Sequence, residues 1–401
     1  MGEVQKSLSK GWKWVKLGEI GEIITGTTPS KKDSRFYNER NINFFKPDDF
    51  DQNGIALLAE SKDFISKEGV LYARVAPSET VLTTCIGIIG KVGMLKQRSS
   101  FNQQINAIIA EKTAVIPKYL AYAIYNRRNF LERLANAPIV PIINKSQFAQ
   151  FQIPLPPLPT QHKIVEILEE ADNLRKFRRQ ADEKMKDLIP SFFVQMFGDP
   201  ATNPKGWKVK KLEDVCIKIT DGSHRTPKLL DKGYPFLTVS NLQNGSFEFS
   251  NSKYISIEDY KDLVKNDCKP LQGDVLFSKD GTIGKVTEIK EEKEIVILSS
   301  LAIMRPQYKI INSTYLAEIA LTDFFINQAK EKQSGSALRR IILKNLKSVK
   351  IPVPPLSLQQ EFAKLIEEIE AEKARQAESK KKLDDLFASL MQRAFTGKLV
   401  A

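Results

Sequence analysis

Histidine, cysteine and paired carboxylates carry most enzymatic chemistry, and this chain is sparing with the first two. His162 and His224 are its two histidines, which excludes a histidine-centred triad or a multi-histidine metal site. Cys85, Cys216 and Cys268 lie far apart and form no CxxC pair, so neither a disulfide framework nor a zinc site is indicated. Carboxylates offer more. Pro47-Asp48 followed by Glu60-Ser61-Lys62 has the spacing of a magnesium-dependent nuclease, in which two carboxylates hold the ion and a lysine orients water. Yet the ExK triplet recurs at Glu288, Glu291 and Glu378, so a chain this charged produces it by composition. A pattern of the form GxIGKV, at Gly87–Val92 and again at Gly281–Val286, resembles a phosphate loop. It is shorter than GxxxxGK[ST], and valine after the lysine offers no magnesium hydroxyl. It reads as a strand or tight turn in which two glycines permit unusual backbone geometry, with the lysine able to approach a phosphate. A methyltransferase would need a glycine-rich cofactor loop and an Asn/Asp-Pro-Pro-aromatic tetrapeptide, and the chain has neither. The expectation is a chain without catalytic residues, metal or cofactor.

Charge points elsewhere. Lys and Arg outnumber Asp and Glu by 61 to 48, a net charge of +13 with a pI near 9.3, which suits a phosphate-rich partner. Met1 to Gly18 lacks the apolar core of a secretory signal. The most apolar stretch, Val81 to Leu95, is interrupted by Lys91 and is too short for a bilayer, so no membrane role and a cytoplasmic location are expected.

What positions these residues is a duplication. Gly11-Trp12-Lys13 recurs as Gly206-Trp207-Lys208, Lys16-Leu17 as Lys211-Leu212, and Tyr119-Leu120-Ala121 as Tyr315-Leu316-Ala317. Ile153-Pro154-Leu155-Pro156-Pro157-Leu158-Pro159-Thr160-Gln161 matches Ile351-Pro352-Val353-Pro354-Pro355-Leu356-Ser357-Leu358-Gln359, and the match continues ungapped for more than thirty residues. Fixed-period self-similarity of this kind defines architecture. It also bears on the nuclease reading, since the second copy has Val239-Ser240 where the first has Pro47-Asp48.

Each copy holds a mixed α/β globular part and a proline-rich stop, with Thr160 and Ser357 as N-cap candidates. A long amphipathic stretch follows. Its apolar residues recur at helical spacing: Ile164, Leu168, Ala171, Met185, Leu188 and Phe192 in the first copy, and Phe362, Ile366, Ile369, Leu383, Leu386 and Leu390 in the second. The expected fold class is α/β, with two similar globular domains separated by two long antiparallel helices forming a coiled coil, related by a pseudo-two-fold repeat. Pro190, where the second copy has Ala388, predicts a kink or restart in the first helix. The division is 1–153 and 201–351 for the domains, and 154–200 and 352–401 for the spacer helices.

These residues together resemble the specificity subunits of type I restriction-modification systems: the two GW-x-x-x-x-L starts, the doubled Ile-Pro-(Leu/Val)-Pro-Pro-Leu-x-x-Gln junctions, and the helix ends at Met196-Phe197-Gly198 and Phe395-Thr396-Gly397-Lys398-Leu399. The resemblance implies two target-recognition domains, each reading half of a split site in double-stranded DNA. It also implies assembly with two modification (methyltransferase) subunits and with restriction subunits, the ATP-dependent translocase and nuclease. Chemistry and cofactors would then belong to the partners. Polar, glycine-bearing loops are the DNA-binding candidates: Thr27, Thr28, Lys31, Arg35, Asn102, Gln103 and Gln104 in the first domain, and Asp221, Ser223, His224, Arg225, Lys228, Ser278, Lys279, Asp280, Arg339 and Arg340 in the second. Asn and Gln suit adenine and Arg suits guanine. The alternative is a stand-alone magnesium-dependent restriction nuclease using Asp48, Glu60 and Lys62.

Overall fold

The computed structural model describes residues 8–51, 54–135, 140–330 and 340–400. The chain divides into two compact units, one formed by Met1–Gln180 with Ala377–Ala401 and the other by Ala181–Gln376. Each unit therefore holds one globular copy, the start of its own long helix and the end of the other copy's helix.

In unit 1 the main sheet has the spatial order Gly21–Thr25, Ile105–Ala110, Val81–Thr84, Val92–Leu95 and Ile55–Leu58. Neighbours are antiparallel except for Ile55–Leu58, which lies parallel to Val92–Leu95. Unit 2 repeats the order with Cys216–Asp221, Leu301–Pro306, Val275–Ser278 and Val286–Glu288. A smaller sheet is repeated as well. Asp63–Ile65, Ile42–Phe45 and Ser99–Phe101 correspond to Lys253–Ile255, Tyr234–Leu237 and Val296–Ile297, each set containing one parallel pair. Val81–Thr84 and Val275–Ser278 are buried at every position, as expected of central strands covered on both faces.

A helix packs on each main sheet. Pro117 starts Pro117–Asn126, where its missing N–H costs nothing. Asn312 caps Ser313–Ala320 by accepting from Thr314 N and Tyr315 N. The repeated tyrosines on these helices are fully buried, and each satisfies its hydroxyl on a junction carbonyl. Tyr119 donates to Pro154 O at 2.6 Å and Tyr315 to Pro352 O at 2.8 Å.

The proline-rich junctions are themselves strands. Gln152–Leu155 pairs with Lys13–Lys16, and Lys350–Val353 with Lys208–Lys211. These are two-stranded sheets, so a proline without a donor still has an open edge. The boundaries expected at 153/154 and 351/352 thus fall inside strands. Thr160 and Ser357 do not cap, because the helices already begin at Leu158 and Leu356. The residue that secures each helix start is the glutamine of the repeat. Gln161 Oε1 accepts from Ile116 N, and its Nε2 donates to Ala114 O and Pro156 O. Gln359 makes the same three bonds with Asn312 N, Ile310 O and Pro354 O.

The second long helix is continuous over Leu356–Phe395, whereas the first runs over Leu158–Lys186 and restarts as Leu188–Phe197. The break falls at Asp187, one turn ahead of Pro190, whose ring nitrogen cannot donate to the Lys186 carbonyl. Within each unit the two helical segments are antiparallel. In unit 1, Ile164, Leu168 and Ala171 share a core with Phe387, Met391, Ala394 and Phe395. In unit 2, Phe193 and Phe197 share one with Phe362, Ile366 and Ile369, and Phe197 meets Phe362 edge-on at 5.1 Å.

Several expected packing residues are displaced by one position. Leu188 and Leu386 are exposed, and Met185, Phe192, Leu383 and Leu390 are only half-buried. Phe193 and Phe387 take the inward places instead. In the first helix the restart at Leu188 resets the face. In the second, Phe387 offers more area than its neighbour Leu386 and meets the Tyr122 ring at a tilt, 6.4 Å between centroids.

Candidate nucleic-acid interface

In both units the strand after the first turn runs into a loop held against a second loop by matching backbone bonds. Gly26 N donates to Ile105 O at 3.0 Å and Thr27 N to Phe101 O at 3.1 Å; Gly222 N donates to Leu301 O at 3.2 Å and Ser223 N to Ile297 O at 2.8 Å. The loops approach so closely that a Cβ on Gly26 would lie 2.1 Å from Asn102 O, and one on Gly222 2.0 Å from Ile297 O. Only glycine fits there.

This frame gathers most of the unit 1 candidates. Thr28 Oγ1 donates to Gln103 Oε1, and Asn102 Nδ2 donates to Gln104 Oε1 at 2.8 Å. Asn102 is buried and shapes the loop, while Gln103 is exposed. Lys31 and Arg35 are exposed further along. Arg35 is engaged by Asp33 through Nε at 3.0 Å and Nη2 at 2.7 Å, a pairing that holds the Asp33 carboxyl below its ordinary range.

In unit 2 five candidates from three loops form one chain of polar contacts. His224 Nε2 lies 3.2 Å from Asp221 Oδ1. Lys279 Nζ lies 3.2 Å from Asp221 Oδ2 and 3.7 Å from Asp280 Oδ2. Arg340 Nε completes it, 3.3 Å from Asp280 Oδ2. The expectation that Lys279 contacts DNA is corrected here: its side chain is 1% exposed, because a buried ammonium is stable only among carboxylates. Ser278 and Ser223 are also buried. Ser278 Oγ accepts from Lys285 N and donates to Thr282 O, and Ser223 Oγ donates to Arg225 O, so both fix loop shape. His224, Arg225, Lys228 and Arg340 remain at the surface, with Arg225 bonded to Asp262 at 3.0 Å. Arg339 lies outside the described residues.

The GxIGKV repeats are tight turns. Gly87, Gly90, Gly281 and Gly284 have φ of 74°, 84°, 68° and 95°, the left-handed region that glycine alone enters cheaply. Their lysines turn inward, Lys91 Nζ donating to Pro47 O at 3.1 Å and Lys285 Nζ to Val239 O at 3.4 Å. The residues receiving them, Pro47–Asp49 and Val239–Asn241, are equivalent 3-10 turns.

The nuclease alternative gains no support from this geometry. Lys62 Nζ reaches the Asp48 backbone carbonyl at 3.4 Å, and the neighbouring carboxylate of Asp49 caps Lys46 N and Lys62 N. Among the described residues, no three His, Cys, Asp or Glu side chains gather closely enough to hold a metal ion. Cys85, Cys216 and Cys268 are all buried, and burial pushes the Cys85 thiol up to about 12. No described helix is long and apolar enough to cross a membrane.

Sequence reading missed one pair. Ile86 bridges Ile142 in unit 1 where Asp280 bridges Arg340 in unit 2. The missed pair is Ile86 and Ile142, since Asp280 and Arg340 are already candidates; extending the alignment of the GxIGKV repeats one residue upstream would have set Ile86 beside Asp280.

Comparison with known proteins gives a uniform result. The family model for the type I restriction modification DNA specificity domain matches twice, at residues 9–185 and 204–384. The type I restriction enzyme MjaIX specificity subunit of Methanocaldococcus jannaschii is 24% identical over 387 residues, covering 90% of this chain and 87% of its own. Two solved structures share the fold. One, from work on complex assembly and conformational transition of the type I R-M system, has a TM-score of 0.63 at 19% identity and covers 98% of this chain and 100% of its own. The other, the type-I restriction-modification S subunit of M. genitalium, has a TM-score of 0.56 at 14% identity and covers 98% of each. With the family model spanning both copies, this chain belongs to the type I restriction-modification DNA specificity family.

Proposed function

We propose that each unit reads one half of a two-part DNA site through its glycine-framed loops. The chain is a specificity subunit of a type I restriction-modification system. Reading is assigned to the half-buried Thr28 and the exposed Lys31, Arg35 and Gln103 in unit 1, and to the exposed His224, Arg225, Lys228 and Arg340 in unit 2. The observation that carries this is the repeated frame, in which the same backbone bonds present different side chains, a Thr28–Gln103 contact in one unit and the Asp280–Arg340 pair in the other. A constant scaffold with variable tips is what reading two unlike half-sites requires.

The chain itself performs no chemistry under this proposal. Modification subunits methylate adenine at the site, restriction subunits translocate and cut, and all work in the cytoplasm. Net charge of +13 supports phosphate contacts that supply affinity without sequence information.

The test is a methylation map. Genomic adenine methylation is recorded in cells carrying the full chain and its modification subunits, with Gln103→Ala and His224→Ala compared to wild type. Each substitution should alter one half-site and leave the other intact. Identical motifs in all three strains would reject the assignment.

A further inference from the structure

Among the described residues Lys279 is the most deeply buried cation of unit 2, yet it lies within two contacts of an exposed arginine. Its ammonium touches both Asp221 and Asp280, and Asp280 holds the Nε of Arg340. The backbone repeats the connection, since Asp280 and Arg340 form an antiparallel bridge and Ile341 N donates to Lys279 O at 2.8 Å. The Arg340 side chain is 48% exposed. A guanidinium steered by a carboxylate at its Nε edge is pre-organised, and its planar fork matches the O6 and N7 acceptors of guanine in the major groove.

The same place in unit 1 has no charge. Cys85 stands for Lys279, Ile86 for Asp280 and Ile142 for Arg340, with Ile143 N donating to Cys85 O at 2.9 Å. One backbone position thus carries an ionic reader in one unit and an apolar one in the other.

We propose that Arg340 is the guanine-reading residue of unit 2, and that Lys279, acting through Asp280, is its positioning residue. The proposal rests on the loops being the DNA-reading surface. A neutral side chain at Lys279 leaves the half-buried carboxylates of Asp221 and Asp280 without the ammonium that lies between them, so Asp280 would turn away and Arg340 would lose its orientation.

The full chain with its modification subunits is tested by mapping methylated adenines. In wild type, one half-site contains a required guanine. In Arg340→Ala that position accepts other bases, discrimination falling by roughly 5- to 150-fold, the worth of a bidentate arginine–guanine contact. Lys279→Met relaxes the same position. The other half-site stays intact in both, which reports a folded, assembled subunit. If Lys279→Met abolishes methylation, Asp280→Asn and Arg340→Ala decide, since both alter side chains at the surface or near it. For Arg340→Ala, an unchanged motif, relaxation at a base other than guanine, or loss of all methylation in that variant overturns the proposal. Should His224→Ala alter that half-site while Arg340→Ala does not, the proposal falls and the reading surface stands. Should Gln103→Ala, His224→Ala and Arg340→Ala all leave the motif as it was, the reading surface falls too.

Discussion

Arg175 and Asp384, 209 positions apart in the chain, are joined by a guanidinium–carboxylate hydrogen bond of 2.7 Å. The bond ties the first long helix to the end of the second within unit 1. Arg175 also lies 3.3 Å from Asp172 and 4.4 Å above the Phe387 ring, while Asp172, 2% exposed, meets Lys176 at 3.0 Å. Removing the arginine therefore deprives a buried carboxylate of one of its two cations and leaves it to Lys176. Arg175→Ala should destabilise the chain by roughly 1–3 kcal/mol, and Asp384→Asn, whose side chain is partly exposed, by under about 1 kcal/mol. Urea unfolding of the purified variants ranks them, and equal costs would contradict this account.

Gln161 and Gln359 predict a matched pair of lesions. Each alanine variant leaves one backbone N–H and two carbonyls without the amide that satisfied them. A buried group stranded in this way costs roughly 1–3 kcal/mol. Both substitutions should lower thermal stability by a similar amount, on the order of 3 kcal/mol, and Gln→Glu should not rescue, because a carboxylate cannot donate to two carbonyls. A neutral effect at either position would show that the clamp is dispensable.

These clamps also indicate what sequence made legible. The doubled Ile-Pro-x-Pro-Pro-Leu junction revealed the duplication, the α/β units and the long helices, because it combines helix start, strand pairing and clamp in one short run. Periodicity marks Ile164, Leu168, Phe362 and Ile366, which are buried. It misplaced Leu188 and Leu386, since neighbouring apolar residues such as Phe387 compete for one inward direction, and tertiary fit decides. The candidate loops were legible as polar, glycine-bearing segments. Which of their residues face outward was not: Lys279 and Asn102 look like surface residues until the partners that bury them, Asp221 and Gln104, are brought alongside by the fold.

Gly26 and Gly222 give a unit-by-unit test of the loop frame. Alanine at either position sets a Cβ within about 2 Å of a backbone carbonyl that cannot swing aside, an overpacking cost of roughly 1–3 kcal/mol. Gly26→Ala should disturb one half of the methylated motif and Gly222→Ala the other. If either substitution changed both halves, the two frames would not be acting independently.

The helices predict a change in spacing. The boundaries between units fall at Gln180/Ala181 and Gln376/Ala377, inside helices on both passages. Four residues inserted at both points add about 6 Å of helix while leaving each unit's own packing untouched. We expect the unread gap in the methylated site to lengthen by one or two base pairs, with both half-sites preserved. A gap of unchanged length would reject the helices as its determinant.

Glu318 supplies a dependence on pH. Burial, reinforced by the nearby Glu370 and partly offset by Lys373 and Lys290, pushes its carboxyl up to about 7 from an ordinary 4.5. The folded unit therefore holds the proton more tightly than the unfolded chain does, so protonation favours folding. This stabilisation is fully present below about pH 4.5 and is lost as pH rises through 7. Glu318→Gln is a permanent mimic of the protonated form. It should match wild type at pH 4.5 and exceed it at pH 8 by about 1–3 kcal/mol, because each tenfold change in proton affinity is worth about 1.4 kcal/mol. Denaturant melts of both proteins across this range check the sign directly: a variant less stable than wild type at pH 8 would mean that the ionised carboxylate is held by favourable partners, and that burial does not govern its titration.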